Sequence, residues 1–236
     1  MQPSFVTPAV PARPRGFGSL LGDALRRPGG RRGISILSVV LFLAGITMFA
    51  YPVGTDIYSR YRQDHLQSAF DDPGTQQAYL EHRIKIGDGL TILRIERLDI
   101  TRLVVQGTTP AALRAGVGHY INTPLPGEVG NVGIAGHRTT FGRPFNRMDE
   151  MKPGDTVSLE TPFAIYTYKA VQPFDGHPNP WVVTPDDFSV VSQGTGHLLT
   201  LTTCHPKGSA RQRLVMRFSL VGSKLKDTKV KAQGGM

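Results

Sequence analysis

The chain contains a single cysteine, Cys204, which closes the run Leu199-Thr200-Leu201-Thr202-Thr203-Cys204. A lone thiol can form no intramolecular disulfide and cannot supply the several thiolates of a sulfur-rich zinc site. Two uses remain, burial as a small hydrophobe or nucleophilic chemistry. An ordinary thiol, with a pKa of about 8.5, is roughly a few per cent thiolate at neutral pH, and a nearby imidazolium or guanidinium raises that fraction. His137, at the end of Gly130-Asn131-Val132-Gly133-Ile134-Ala135-Gly136-His137, and Arg213, ahead of Leu214-Val215-Met216-Arg217-Phe218, are the candidate partners. The trio could cleave an amide. The thiolate attacks the carbonyl carbon, and the guanidinium donates to the oxyanion, a contact typically worth about 3 kcal/mol in the transition state. The imidazole protonates the departing amine and deprotonates its replacement.

Strand parity supports this grouping, because successive side chains of a strand point to opposite faces. Leu199 and Leu201 share one face, while Thr200, Thr202 and Cys204 share the other. Leu214, Met216, Phe218 and Leu220 form one face of the last strand, leaving Arg213 opposite with Val215 and Arg217. A loop over 205–210 would join the two as antiparallel neighbours. Arg211 has the same parity as Arg213, so the sequence leaves both open; Arg213 is preferred because it abuts the apolar strand. His119, His177, His197 and His205 read as surface or loop residues, with His205 facing away from Cys204. Gly127 and Gly130 read as turn formers, since no Lys-Ser or Lys-Thr follows to complete a phosphate loop.

These segments must be held by a sheet. From 83 to 221 the pattern is short β-type runs broken by Gly and Pro, which argues for an all-β sandwich or barrel. Strands are expected at 101–106, 131–135, 156–160, 164–171, 198–203 and 213–221. Leu93, Ile95 and then Leu98, Ile100 alternate with an offset that predicts a bulge at Glu96-Arg97. Short helices are expected at 110–114 and 144–151.

Five segments follow from composition and charge. Residues 1–33 hold six Arg against one Asp, with scattered Pro and Gly, and read as a basic disordered tail. Residues 34–53 carry no charge and, at 1.5 Å per residue, suffice to cross a hydrocarbon core of about 30 Å as a transmembrane helix. A cleaved signal peptide would need a small residue where Met48 stands. Residues 54–82 are expected to form an extracellular helical stalk, 83–222 the β domain, and 223–236 a Lys-rich tail. The arginines before the span place the N-terminus in the cytoplasm and the domain outside. The β domain holds fifteen Lys and Arg against eleven Asp and Glu, a balance of only +4, which removes the main support for nucleic-acid binding.

The sequence TLTTC, an Arg heading the next strand, and NVGIAGHR upstream together resemble the sortases, membrane-anchored cysteine transpeptidases of Gram-positive bacteria. The run GHYINTPLPGEVGNVGIAGHRTTFGRPF is most similar to class E, with class D next, and the resemblance covers about 85–221. It implies a closed eight-stranded β-barrel with short helices, in which Cys204 is the nucleophile, His137 the acid and base, and Arg213 the oxyanion donor. It implies cleavage of the Thr–Gly bond of a Leu-Pro-x-Thr-Gly or Leu-Ala-x-Thr-Gly sorting motif. A thioacyl enzyme then passes the protein to an amine of a peptidoglycan precursor. Tyr120, Thr203 and Trp181, the last in the 172–196 loop, would contact the substrate. The implied partners are secreted proteins bearing the motif, the amine acceptor and the membrane, with no cofactor, metal or nucleic acid. A tethered cysteine hydrolase and a non-enzymatic wall-binding barrel are the alternatives.

Overall fold

The computed structural model describes residues 28–70, 72–172 and 176–226. Its strands are β1 (Gly89–Ile95), β2 (Ile100–Gln106), β3 (Val117–His119), β4 (Gly130–Gly136), β5 (Thr156–Glu160), β6 (Ala164–Ala170), β7 (Trp181–Val183), β8 (His197–His205) and β9 (Gln212–Leu225). The helices are α1 (Pro28–Phe70), α2 (Pro73–Leu80) and α3 (Pro110–Ala115). Eight strands run in the order β6-β5-β1-β2-β3-β4-β8-β9, and β9 pairs back with β6 to close the ring. The length of β9, 14 residues, makes the closure. One edge pairs with β8 along 212–219; the other meets β7 at 213–215 and β6 at 218–225. This is the closed eight-stranded barrel implied by the resemblance, with β7 as a short ninth strand outside the ring.

The two-residue period of the sequence fills the barrel. Leu93, Ile95, Val132, Ile134, Leu199, Leu201, Leu214, Met216 and Phe218 are all buried in one cluster. Full burial of such a side chain contributes about 1.5–3 kcal/mol relative to exposure. Phe145, Met148 and Met151 join the same cluster from the segment after β4. Only Met148–Glu150 of that segment is helical, a single 3-10 turn, instead of the helix expected over 144–151.

The offset at Glu96-Arg97 is a reversal between two strands, not a bulge within one. Glu96–Leu98 forms a 3-10 turn and Asp99 takes φ 54, ψ 48, so that Ile95 pairs with Ile100. Asp tolerates this left-handed conformation better than most residues. The strands β3 and β7 escaped the sequence reading because each has three residues, too few for a period to register.

Domain limits also move. The chain divides into two units between Tyr51 and Pro52, two residues from the expected end of the apolar run at Val53, with no division at 82. The segment expected as a stalk belongs to the folded second unit: Leu66 and Phe70 of α1 are buried with Ile92, Leu103, Val105, Ala112 and Ala115. Helix α1 starts at Pro28, inside the expected basic tail, the rest of which (1–27) lies outside the described residues. At the other end 223–225 are strand, with Leu225 opposite Ala164, and 227–236 of the expected tail lie outside the described residues. Part of α1 is long and apolar enough to cross a membrane: its best 18-residue window has a mean hydropathy of 2.3 and none of it is buried within the protein.

Candidate active site

Three adjacent strands bring the three candidate side chains to one groove. In the antiparallel pair β8–β9, Cys204 lies directly opposite Arg213. Residues so opposed hold their Cβ atoms about 5 Å apart. On the other side of β8, β4 runs parallel with Gly136 alongside Thr203, and His137 is the next residue beyond that pair. Ala135, His137, Thr202, Cys204 and Arg213 all line a groove of about 380 Å3, together with Tyr120, Leu113 of α3, and Pro185 and Phe188 from the segment after β7. Cys204 is half-buried at the groove, so it is not a small core hydrophobe. Arg211 is exposed, precedes β9 and does not line the groove, whereas Arg213 does.

Each side chain is held by its own contacts. Arg213 Nη1 donates to the carbonyls of Ala210 (3.0 Å) and Gln212 (3.1 Å), tethering the guanidinium at the rim. The His137 carbonyl accepts from Phe145 N–H at 3.2 Å, and the Phe141 ring lies 5.1 Å from the imidazole at an interplanar angle of 37°. Burial, and then the nearby positive charge of Arg114, hold the His137 pKa below the usual histidine value, so the neutral imidazole dominates at neutral pH. Tyr120 meets Thr202 hydroxyl to hydroxyl at 3.0 Å. Gly133 makes room for it, since a Cβ there would lie 2.8 Å from the Tyr120 ring.

Thr203 borders the groove, but its parity turns the side chain the other way. Its buried hydroxyl donates to the Gly136 carbonyl at 2.8 Å, fastening β4 to β8 one residue before both His137 and Cys204. Trp181 is not brought to the groove. It is buried with Val190 and Val215, and the Arg217 guanidinium lies 5.6 Å from its ring centroid. The groove wall from that loop is Phe188 instead, 67% exposed.

Sequence reading passed over Arg138. It is 3% exposed; Nη1 donates to the Cys204 carbonyl (3.3 Å) and to His205 Nδ1 (3.0 Å), and Nη2 pairs with Asp149 at 3.0 Å. Arginine has no acceptor, so His205 Nδ1 must be the unprotonated nitrogen. The signal was available: Arg138 has the parity opposite to His137, which turns it away from the groove face. His119 also differs from expectation. It is fully buried, with Nδ1 2.8 Å from Gln106 Oε1 and Nε2 3.0 Å from the Pro124 carbonyl.

A sortase domain model matches residues 93–221, more than half of the chain and a range that includes His137, Cys204 and Arg213. The chain belongs to the sortase family. Sortase SrtE2 of Streptomyces coelicolor is 30% identical over 228 residues, covering 85% of this chain and 87% of that relative. Sortase SrtE1 of the same organism is 32% identical over 144 residues, 57% of this chain; there the chain spans only 41% of the relative's length. Among solved structures, sortase E1 of Streptomyces coelicolor with a tripeptide in its active site shares 30% identity, with a TM-score of 0.53 over 59% of this chain and 91% of that one. A sortase D5 transpeptidase of Clostridium perfringens shares 27% identity, with a TM-score of 0.59 over 70% of this chain and 99% of that one. Both classes that the sequence resembles are therefore among its relatives.

Proposed function

We propose that the chain is a membrane-anchored sortase that cleaves the Thr–Gly bond of a Leu-Pro-x-Thr-Gly or Leu-Ala-x-Thr-Gly motif and transfers the new carboxyl end to an amine of a cell-wall precursor. The observation that carries this reading is the meeting of Cys204, His137 and Arg213 in one open groove, from strands that are neighbours in the sheet. In the resting pair the neutral imidazole can take the thiol proton. The thiolate sulfur adds to the Thr carbonyl carbon, and the electron pair moves onto the oxygen, where Arg213 donates. As the C–N bond breaks, imidazolium gives its proton to the Gly nitrogen and the Gly-side fragment leaves. The thioester then meets an incoming amine, which loses a proton to His137 as the amide forms and the Cys204 thiolate is released. Tyr120 and Phe188, at the groove wall, are placed to contact the motif side chains.

The test is a motif peptide incubated with the full chain and an amine. A new amide product should form, with a mass-shifted thioacyl intermediate on Cys204. Cys204→Ala should abolish both, and Arg213→Met should lower kcat by about 100-fold, the loss of one oxyanion donor. Arg211→Ala should leave the rate nearly unchanged. Release of the carboxylic acid alone, unaffected by added amine, would make the chain a hydrolase. Absence of any thioacyl species with Cys204 intact would end the reading altogether.

A further inference from the structure

The loop that follows His137 adopts a backbone that is costly on its own. Phe141, Gly142 and Arg143 have φ of 51°, 75° and 47°, three successive left-handed residues of which only one is glycine. Non-glycine residues in this region cost about 1–3 kcal/mol each and persist where their surroundings over-determine them. Here the surroundings come from α1. Asp56 Oδ1 accepts from the Gly142 N–H at 2.9 Å, and Asp56 Oδ2 pairs with Arg143 Nη2 at 2.8 Å. Ser59, one turn further along α1 and 1% exposed, closes over the same glycine: a Cβ on Gly142 would lie 3.1 Å from its hydroxyl oxygen. The middle of the loop therefore rests on the helix by charge, backbone bond and contact together. Its Phe141 ring, in turn, covers the imidazole of His137.

We propose that Asp56 is a positioning residue for His137, its carboxylate fixing the left-handed loop so that Phe141 stays packed on the imidazole. Resting on the transpeptidase reading of the groove, this adds that α1 beyond the apolar run is part of the apparatus and not a passive tether. Asp56 stands three positions past Val53, the last residue of that run. Burial is the first cause that keeps the imidazole below its ordinary basicity, and Arg114 adds positive charge in the same direction; the Phe141 ring packs 5.1 Å from the imidazole. Cys204, Arg213 and Tyr120 are the other ionisable groups lining the groove with His137. Releasing the loop should return the ring towards ordinary basicity and let it wander from the thiol.

The experiment uses the full chain in lipid nanodiscs, with His ring titration by NMR and turnover of a motif peptide measured on the same samples. Asp56→Ala should lower kcat by about 10- to 100-fold, the scale expected of a misplaced reacting group. KM should change little, and the His137 titration should move up in pH. Phe141→Ala should reproduce both effects, and the double variant should be no worse than Phe141→Ala. Asp56→Asn retains an acceptor for Gly142 N–H but loses the ion pair, so it should fall between and cover the case in which the alanine variant does not fold. Folded variants with an unmoved His137 titration, or effects of Asp56 and Phe141 that simply add, would overturn the proposal. Because the titration needs no substrate, a wild-type chain that never turns over the peptide would defeat the transpeptidase reading and still leave the Asp56 result to be read.

Discussion

His137 and His119 both lose basicity to burial, yet only His137 borders the groove, and the difference follows from what surrounds each ring. His119 has hydrogen-bond partners at both nitrogens and is held down to about 4, burial being the main cause, partly offset by the Pro124 carbonyl and the Glu128 charge. A folded pKa below the unfolded value of about 6.5 means that the unfolded chain binds the proton more readily. Stability from this residue is therefore complete above pH 6.5 and falls as the pH drops towards 4. Between pH 7.5 and 5 the loss should be about 2 kcal/mol. Denaturant titrations of the chain and of His119→Gln at both pH values check this, since the variant should lack that part of the slope. An equal slope in the variant would place the acid sensitivity elsewhere. The same scale explains Arg138: a buried guanidinium joined to Asp149, the Cys204 carbonyl and His205 braces the Cys204 peptide.

At the scale of elements, α1 does for β2 what a neighbouring strand would otherwise do. The parallel pairing of β2 with β3 starts at Val104 opposite Val117, leaving Leu103 beyond it. Gln63 of α1 fills that position: its Oε1 accepts from Leu103 N–H at 2.7 Å, and Nε2 donates to the carbonyls of Leu103 (3.0 Å) and Ala115 (2.9 Å). Gly116 is required beside it, because φ is 153° and a Cβ would lie 2.6 Å from Gln63 Nε2. Gln63→Leu keeps the bulk and removes three bonds to part-buried backbone groups, so it should cost about 2–3 kcal/mol in thermal or chemical unfolding. A cost near zero would mean that water replaces the amide. The sequence could not show this docking, since Leu66 and Phe70 sit among charges and polar groups and read as part of a helical stalk. Strand parity, by contrast, was legible: Leu199, Leu201, Leu214, Met216 and Phe218 are inside, and Cys204, His137 and Arg213 reach one outer groove. The place of Trp181 was not legible, because a large aromatic in a loop looks the same whether it faces a ligand or a small second core. For Thr203, proximity to the groove follows from position, whereas the direction of its hydroxyl follows from parity.

For the whole molecule, the proposed anchoring makes one question decisive, namely which side of the membrane carries the barrel. The apolar part of α1 satisfies its own polar groups as a span must, with Ser35 and Thr47 hydroxyls donating to the carbonyls of Arg31 (3.0 Å) and Leu43 (2.9 Å). Pro52 lies inside the helix at the division between the two units. Lacking an N–H, it cannot make the i→i−4 bond. Six Arg precede the apolar run, so under the proposed anchoring the positive-inside rule predicts that end in the cytoplasm and the groove outside. The single cysteine makes this measurable without altering the chain. A membrane-impermeant thiol reagent added to intact protoplasts should label Cys204 as fully as it does after lysis, and Cys204→Ser should show no labelling. Replacing Arg26, Arg27, Arg31 and Arg32 with Glu should divert a fraction of the chains to the opposite orientation and lower labelling in intact cells by that fraction. Labelling that appears only on lysis would put the groove in the cytoplasm, where secreted proteins and wall precursors could not meet on the same side as the thiol.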